Sequence, residues 1–204
     1  MAKEEQPDTN AAGRPRSEAS KRAVLDATFE LLNTTTVRAL TIEAIAQKAG
    51  VGKTTIYRWW PSKTAVVIDS FIDVMLAGTP IPVTKTAEEA ITKHLALLVK
   101  QYSGKLGRVV AETLAEAQFE PKTLADFGRQ FFSERREAVR AVIEAGMKSG
   151  EFDRKLDVDT ALDTIYGAIY FRLFLGHLPL DQEFGKALAK IALATLKPKP
   201  KPAR

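Results

Sequence analysis

Two short helical patterns meet at a glycine corner between Thr41 and Lys63 (TIEAIAQKAGVGKTTIYRWWPSK), and no other stretch limits the possible folds as tightly. Thr41 is placed to cap the first helix, and Glu43 in its first turn favours the positive end of the helix dipole. Ile42, Ile45, Ala46 and Ala49 recur at helical spacing and form one apolar face. Gly50 supplies a residue that takes positive φ without steric cost, a common way for a helix to end. Val51 plugs the corner, and a second helix runs from Lys53 to Trp60. Ile56 and Trp60, four apart, give it a buried side and leave Lys53, Thr54, Thr55, Tyr57 and Arg58 for the others. A helix with cations and hydroxyls opposite an apolar stripe suits a DNA major groove.

The residue types sort by what they can touch. Lysine and arginine donate to guanine O6 and N7, and threonine offers a methyl to thymine or a hydroxyl to either pair. Lys53, Thr54, Thr55 and Arg58 are therefore the candidates for base edges. Thr41 lies where a helix N-terminus meets phosphate, and Trp59 is a further candidate for the DNA backbone. Gly52-Lys53-Thr54 also matches the end of a phosphate-binding loop. The first glycine of G-x-x-x-x-G-K-[ST] would fall on Gln47, however, after a helical pattern and not a strand, so no nucleotide site is expected.

The second helix closes on Tyr57, Trp60, Pro61, Ser62 and Lys63: a tyrosine, an aromatic three residues on, a short linker and a lysine. In this order and spacing, the stretch from about Ser20 to Phe71 resembles the N-terminal domain of the TetR family of bacterial transcriptional repressors. The resemblance implies that Tyr57 and Lys63 hold the DNA backbone, that the protein is a homodimer, and that a larger helical domain releases DNA when a small molecule binds. Two positions depart from the family pattern. Thr36 stands in the loop between helices one and two where glycine is usual, and Trp59 stands where histidine is frequent. A left-handed backbone at Thr36 would cost about 1 kcal/mol.

Charge is unevenly placed along the 204 residues. Residues 1–63 hold 10 basic and 7 acidic side chains, residues 64–196 hold 16 and 18, and residues 197–204 hold four and none. The positive excess thus sits in the reading segment and the C-terminal tail, as a grip on phosphate requires. The chain has no cysteine, which excludes disulfides and thiolate metal sites and fits a reducing compartment. It has no apolar run of membrane-spanning length and no signal-like N-terminus, so a cytoplasmic protein with no membrane partner is expected.

Beyond the reading segment the chain is a series of helical patterns broken by Pro and Gly, with no alternation of the strand type, so an all-α fold is expected. Residues 1–17 read as a disordered arm in which Gly13-Arg14-Pro15-Arg16 either follows a minor groove or is simply solvated. A first helix spans about Glu18 to Leu32, turning Val24, Leu25, Thr28, Leu31 and Leu32 inward. Residues 18–78 form the helix-turn-helix DNA-binding domain, bounded by Gly78-Thr79-Pro80-Ile81-Pro82, and residues 79–196 form the helical ligand-binding and dimerisation domain. Its expected helices cover about Thr86–Tyr102, Leu106–Glu120, Thr123–Ser149, Asp157–Gly176 and Gln182–Leu196. In the third of these the expected core is Leu124, Phe127, Phe131, Ala138, Val142 and Ala145. Residues 197–204 (KPKPKPAR) read as an extended basic tail.

The segment Ala161 to Leu175 is apolar nearly all round and must be covered on more than one side. One arrangement pairs Leu162, Ile165, Ile169 and Leu173, with Leu188 and Ile191 of the last helix, against a symmetry mate in a four-helix bundle; the other buries both helices within one chain. A two-fold dimer presents two reading helices to an inverted-repeat operator in double-stranded DNA. Tyr102, Phe119, Phe127, Phe131, Tyr166 and Tyr170 are candidates to line a pocket for the small-molecule inducer, or are plain core. His94 and His177 lack ligand-spaced neighbours, so no metal is expected, and no cofactor is implied. Arg135-Arg136, between Glu134 and Glu137, reads as a solvated helix face. An enzyme is the first rival reading, against which stand the missing cysteine, His-carboxylate pair and phosphate loop. The second is a binder of nucleic acid without sequence preference.

Overall fold

A computed structural model describes residues 13–198, with the backbone alone at 13–17, 73, 130 and 134. The described residues form helices and no strand. These are α1 (Gly13–Leu31), α2 (Ile42–Ala49), α3 (Lys53–Trp59), α4 (Lys63–Gly78), α5 (Ala87–Tyr102), α6 (Lys105–Ala117), α7 (Pro121–Phe127), a π-helical turn (Gly128–Ser133), α8 (Glu134–Ser149), α9 (Val158–Leu175) and α10 (Gln182–Leu196). Residues 1–12 of the expected arm and 199–204 of the tail lie outside the described residues. The chain divides into two compact units, one ending at Phe71 and one beginning at Ile72, so the boundary falls inside α4.

In the first unit α1 packs on α2 and α3. α1 begins at Gly13, so residues 13–17 continue the helix expected to start at Glu18. Val24, Leu32, Ile45, Ile56 and Phe71 are fully buried in its core, each contributing about 1.5–3 kcal/mol by leaving water. Buried Thr28 satisfies its hydroxyl by donating to the Val24 carbonyl at 2.7 Å. Thr36 carries no strain, because no non-glycine residue among those described takes positive φ. Its Oγ1 instead accepts from the Ala39 amide at 3.1 Å, and its carbonyl accepts from Leu40 at 3.0 Å. A side-chain-capped turn thus replaces the glycine corner that the resemblance implies.

In the second unit α5 packs against α6, α8 and α10, with Ile91, Leu95, Leu98 and Val99 buried as their spacing predicts. The turn into α6 is tight enough to demand glycine: a Cβ on Gly107 would lie 1.9 Å from the Tyr102 carbonyl oxygen. The long helix expected from Thr123 starts at Pro121 and is interrupted by the π turn. A π turn bonds i to i+5 and inserts a residue, so everything after it is rotated. Phe127 and Phe131 are buried before or within the turn, but beyond it the core face is Val139 and Ile143, one position on from the expected Ala138 and Val142. Ala138 and Ala145 are exposed.

The apolar girdle of α9 is covered mostly from within. Leu162, Ile165 and Ile169, with Leu188 of α10, fill the core of their own unit, which corrects the expectation that they form a dimer face. A side chain already packed inside one chain has no surface to offer a second. Leu173 is half-buried and Ile191 is 62% exposed. With Ile191, the large apolar side chains left uncovered on and after α9 are Phe171, Phe174, Leu175 and Leu178.

Candidate nucleic-acid interface and ligand cavity

Local capping fixes the reading element. Thr41, extended at φ −123°, ψ 153°, accepts the Ala44 amide on its Oγ1 at 3.1 Å and starts α2. Gly50 ends α2 in the left-handed region at φ 67°. Its amide donates to Gln47 at 3.3 Å and the Val51 amide to Ala46 at 3.0 Å, the paired bonds of a Schellman turn. That turn aims α3. Ile56 is wholly buried, and Trp60 is buried with its Nε1 donating to Asp69 Oδ2 at 2.8 Å. The opposite side is consequently turned outward: Lys53, Thr54, Tyr57 and Arg58 are exposed, and Thr55 is half-buried.

No carboxylate occurs in α3 itself. Lys53 Nζ reaches Glu43 Oε1 on α2 at 2.9 Å, a hydrogen bond that lifts the ammonium above the ordinary lysine range and holds the carboxyl below its own. Both partners are exposed, and an ammonium with three donors has two left for other acceptors. Lys63 Nζ donates to the Arg38 carbonyl at 3.1 Å, fixing the cation at the start of α4. Trp59 is half-buried between two cations, Lys21 Nζ at 5.4 Å and Arg58 Cζ at 5.6 Å from its ring centroid. Its indole Nε1 is buried with no hydrogen-bond partner. Lys21 enters this cluster only through the packing of α1, so spacing within 41–63 gave no sign of it.

The second unit holds a cavity of about 520 Å³ between α5, the π turn, α8 and α9. Tyr102, Phe131, Tyr166 and Tyr170, four of the six expected pocket aromatics, line it together. Phe127 lies behind them, stacked on Phe131 at 5.0 Å between centroids, and Phe119 is 86% exposed on the turn after α6, away from the cavity. His94, Phe132 and Arg135 also line the wall and were missed. His94 and Tyr102 share one face of α5 with Leu98, a signal present in their i, i+4, i+8 spacing. Arg135 lines the cavity instead of joining a solvated face, because it stands four and eight residues before Val139 and Ile143 on the buried side of α8; Arg136 beside it is held by Asp159 and Asp163.

Polar groups in the wall are largely paired. His94 Nε2 and the Tyr166 hydroxyl lie 2.9 Å apart, as do the Tyr102 and Tyr170 hydroxyls at 3.1 Å. Burial pushes all three phenols above their ordinary range. Burial, aided by the Arg135 charge, lowers His94 to about 4, so its ring is neutral at neutral pH. A larger recess of about 750 Å³ along α5 and α10 is walled chiefly by small residues and lysine stems, with no aromatic side chain.

A capped α2, a Schellman corner and an outward cationic α3 define a DNA-binding protein of the helix-turn-helix class. The comparisons name the family. Residues 24–69 match the model for bacterial regulatory proteins of the tetR family, and residues 81–192 match that for the tetracyclin repressor-like C-terminal domain. The chain is 34% identical over 163 residues to the HTH-type transcriptional regulator YdeS of Bacillus subtilis, covering 80% of this chain and 82% of that one. It is 26% identical over 161 residues to the HTH-type transcriptional regulator AqdR of Rhodococcus erythropolis, covering 79% and 76%. Among solved structures, the TetR family transcription regulator SCO0332 superposes with a TM-score of 0.73 at 28% identity, covering 88% of this chain and 99% of that one. The fold is shared also with FadR from Bacillus subtilis in complex with stearoyl-CoA, at a TM-score of 0.67 and 19% identity, covering 86% and 98%. The chain belongs to the TetR family of helix-turn-helix transcriptional regulators. No helix among the described residues is long and apolar enough to cross a membrane.

Proposed function

We propose that the protein is a homodimeric repressor that occupies an inverted-repeat operator and leaves it when a small molecule fills the cavity of the second unit. Residues 18–78 serve as the DNA-binding domain and residues 79–196 as the ligand-binding and dimerisation domain. The observation that carries the reading is the orientation of α3: Ile56 and Trp60 are buried while Lys53, Thr54, Tyr57 and Arg58 face solvent. Lys53, Thr54, Thr55 and Arg58 read bases, and Thr41, Tyr57, Trp59 and Lys63 hold the backbone. The exposed apolar side chains Phe171, Phe174, Leu175, Leu178 and Ile191 supply the dimer surface. A regulator of the same fold supports the inducer: FadR from Bacillus subtilis holds stearoyl-CoA in its crystal structure.

Selection of bound fragments from the source genome tests the reading. Enriched fragments are expected to share an inverted repeat with half-sites roughly 34 Å apart or a multiple of that spacing. They should outcompete random duplex by about a thousandfold or more. Parity with random duplex overturns the proposal.

A further inference from the structure

Two groups in the cavity wall have unmet needs: His94, whose Nδ1 is buried without a partner, and Arg135. Arg135 Nη2 donates to the Met75 carbonyl at 2.7 Å, but Nε and Nη1 are buried with no hydrogen-bond partner. No carboxylate among the described residues pairs with this guanidinium, and the Phe131 ring lies 4.9 Å from its Cζ. A buried cation lacking a counter-charge is costly, and the cost falls when an anion arrives. The other charged groups of the wall, Arg136 and Asp163, already neutralise one another at 2.7 Å. His94 adds a neutral ring, and the phenols are protonated and paired with each other or with that ring. What remains is a single positive charge at one side of an aromatic chamber of about 520 Å³.

We propose that this chamber binds an organic monocarboxylate with an apolar, ring-sized body, its carboxylate seated on Arg135 and its body among Tyr102, Phe131, Phe132, Tyr166 and Tyr170. The inference rests on the reading of the second unit as the ligand-binding domain and adds the class of ligand. Arginine has the right donor set for such a ligand. Its planar guanidinium offers five N–H donors, of which Met75 uses one, and the rest match a carboxylate in bidentate fashion. The Met75 carbonyl it also holds lies in the last turns of α4, where Gln101 Nε2 donates to the same oxygen at 3.3 Å. A carboxylate drawing on Arg135 therefore alters how the end of α4 is anchored.

The test is calorimetric titration with 2-naphthoate and its uncharged isostere 2-naphthamide. The full-length protein should bind naphthoate at least about tenfold more tightly, since a charge-assisted bond is roughly twice as strong as a neutral one. Arg135→Gln should lose that preference and bind the two alike, and Arg135→Lys should keep part of it. Equal affinity of the unmodified protein for both probes, or no saturable binding of either, overturns the proposal without reliance on any variant. Retention of the preference by Arg135→Gln also overturns it. Adding naphthoate to the protein bound to its selected DNA separates the two readings. Binding through Arg135 with no release of DNA leaves the carboxylate site standing and removes the inducer role. A protein that selects no DNA fails the proposed function while the naphthoate comparison stands on its own.

Discussion

The two units treat their cations in opposite ways. In the first, Lys53 and Arg58 stand in solvent on a helix whose other side is anchored by Ile56 and Trp60. In the second, the Nε and Nη1 of Arg135 are enclosed, with an aromatic ring below and no carboxylate beside them. An exposed cation suits a polyanion that comes from outside and exchanges with salt; an enclosed one suits a small anion that displaces water. The contrast also explains why one face was easier to read. Solvent exposure of α3 follows from the spacing of two residues, whereas Arg135, though in register with Val139 and Ile143, stands in a charged stretch that reads as solvated.

That contrast can be broken at several points. The largest effect is expected from Trp60→Ala, which opens a cavity and leaves Asp69 without its donor, costing about 3–5 kcal/mol. Amide exchange should then rise in α2 and α3 well beyond any change in α5 and α10; equal loosening of both units would show that they do not fold as separate cores. Next is the pH response of the second unit. His94 titrates near 6.5 when unfolded and is lowered to about 4 by burial, facing Tyr166 and Arg135. The unfolded chain binds a proton that the folded one refuses, so stability is full above about pH 6.5 and falls as pH drops towards 4. The loss is on the order of 3 kcal/mol. Denaturant midpoints across this range should diverge between the parent and His94→Gln, and parallel curves would refute the assignment.

Smaller effects belong to the DNA face. Arg58→Ala should cost about 1–3 kcal/mol on the selected operator and relax base preference, whereas Lys63→Ala should weaken all sequences alike and reduce the salt slope by about one. Filter binding at several salt concentrations separates these patterns. The smallest effect should be the same in both units. Thr41 and Thr86 cap α2 and α5 by accepting from Ala44 and Glu89, each at 3.1 Å, so replacing either by alanine should cost about 1 kcal/mol.

What the sequence made legible follows range. Helix starts and ends at Thr41, Gly50, Thr86, Asp157 and Gly176 are set by groups within five residues of one another, and they emerged close to where spacing placed them. The outward side of α3 emerged with them. The core face of α8 did not, because a continuous helical count cannot foresee the extra residue of the π turn and so selects Ala138 over Val139. Leu162, Ile165 and Ile169 were misassigned for a related reason: apolar residues on all sides of α9 say that it is covered, but not whether by its own chain or another. Phe119 and Arg135 needed the packing of distant helices to tell exposed from enclosed.

Both tryptophans of the chain, Trp59 and Trp60, sit side by side at the end of α3, and the second unit contains none. Light absorbed by indole is thus emitted from the reading unit alone, while the cavity's phenols are excited only at shorter wavelengths. Trp59, flanked by Lys21 and Arg58, will change colour and brightness when phosphate draws those cations away. The protein carries its own optical gauge of DNA binding, one that needs no label.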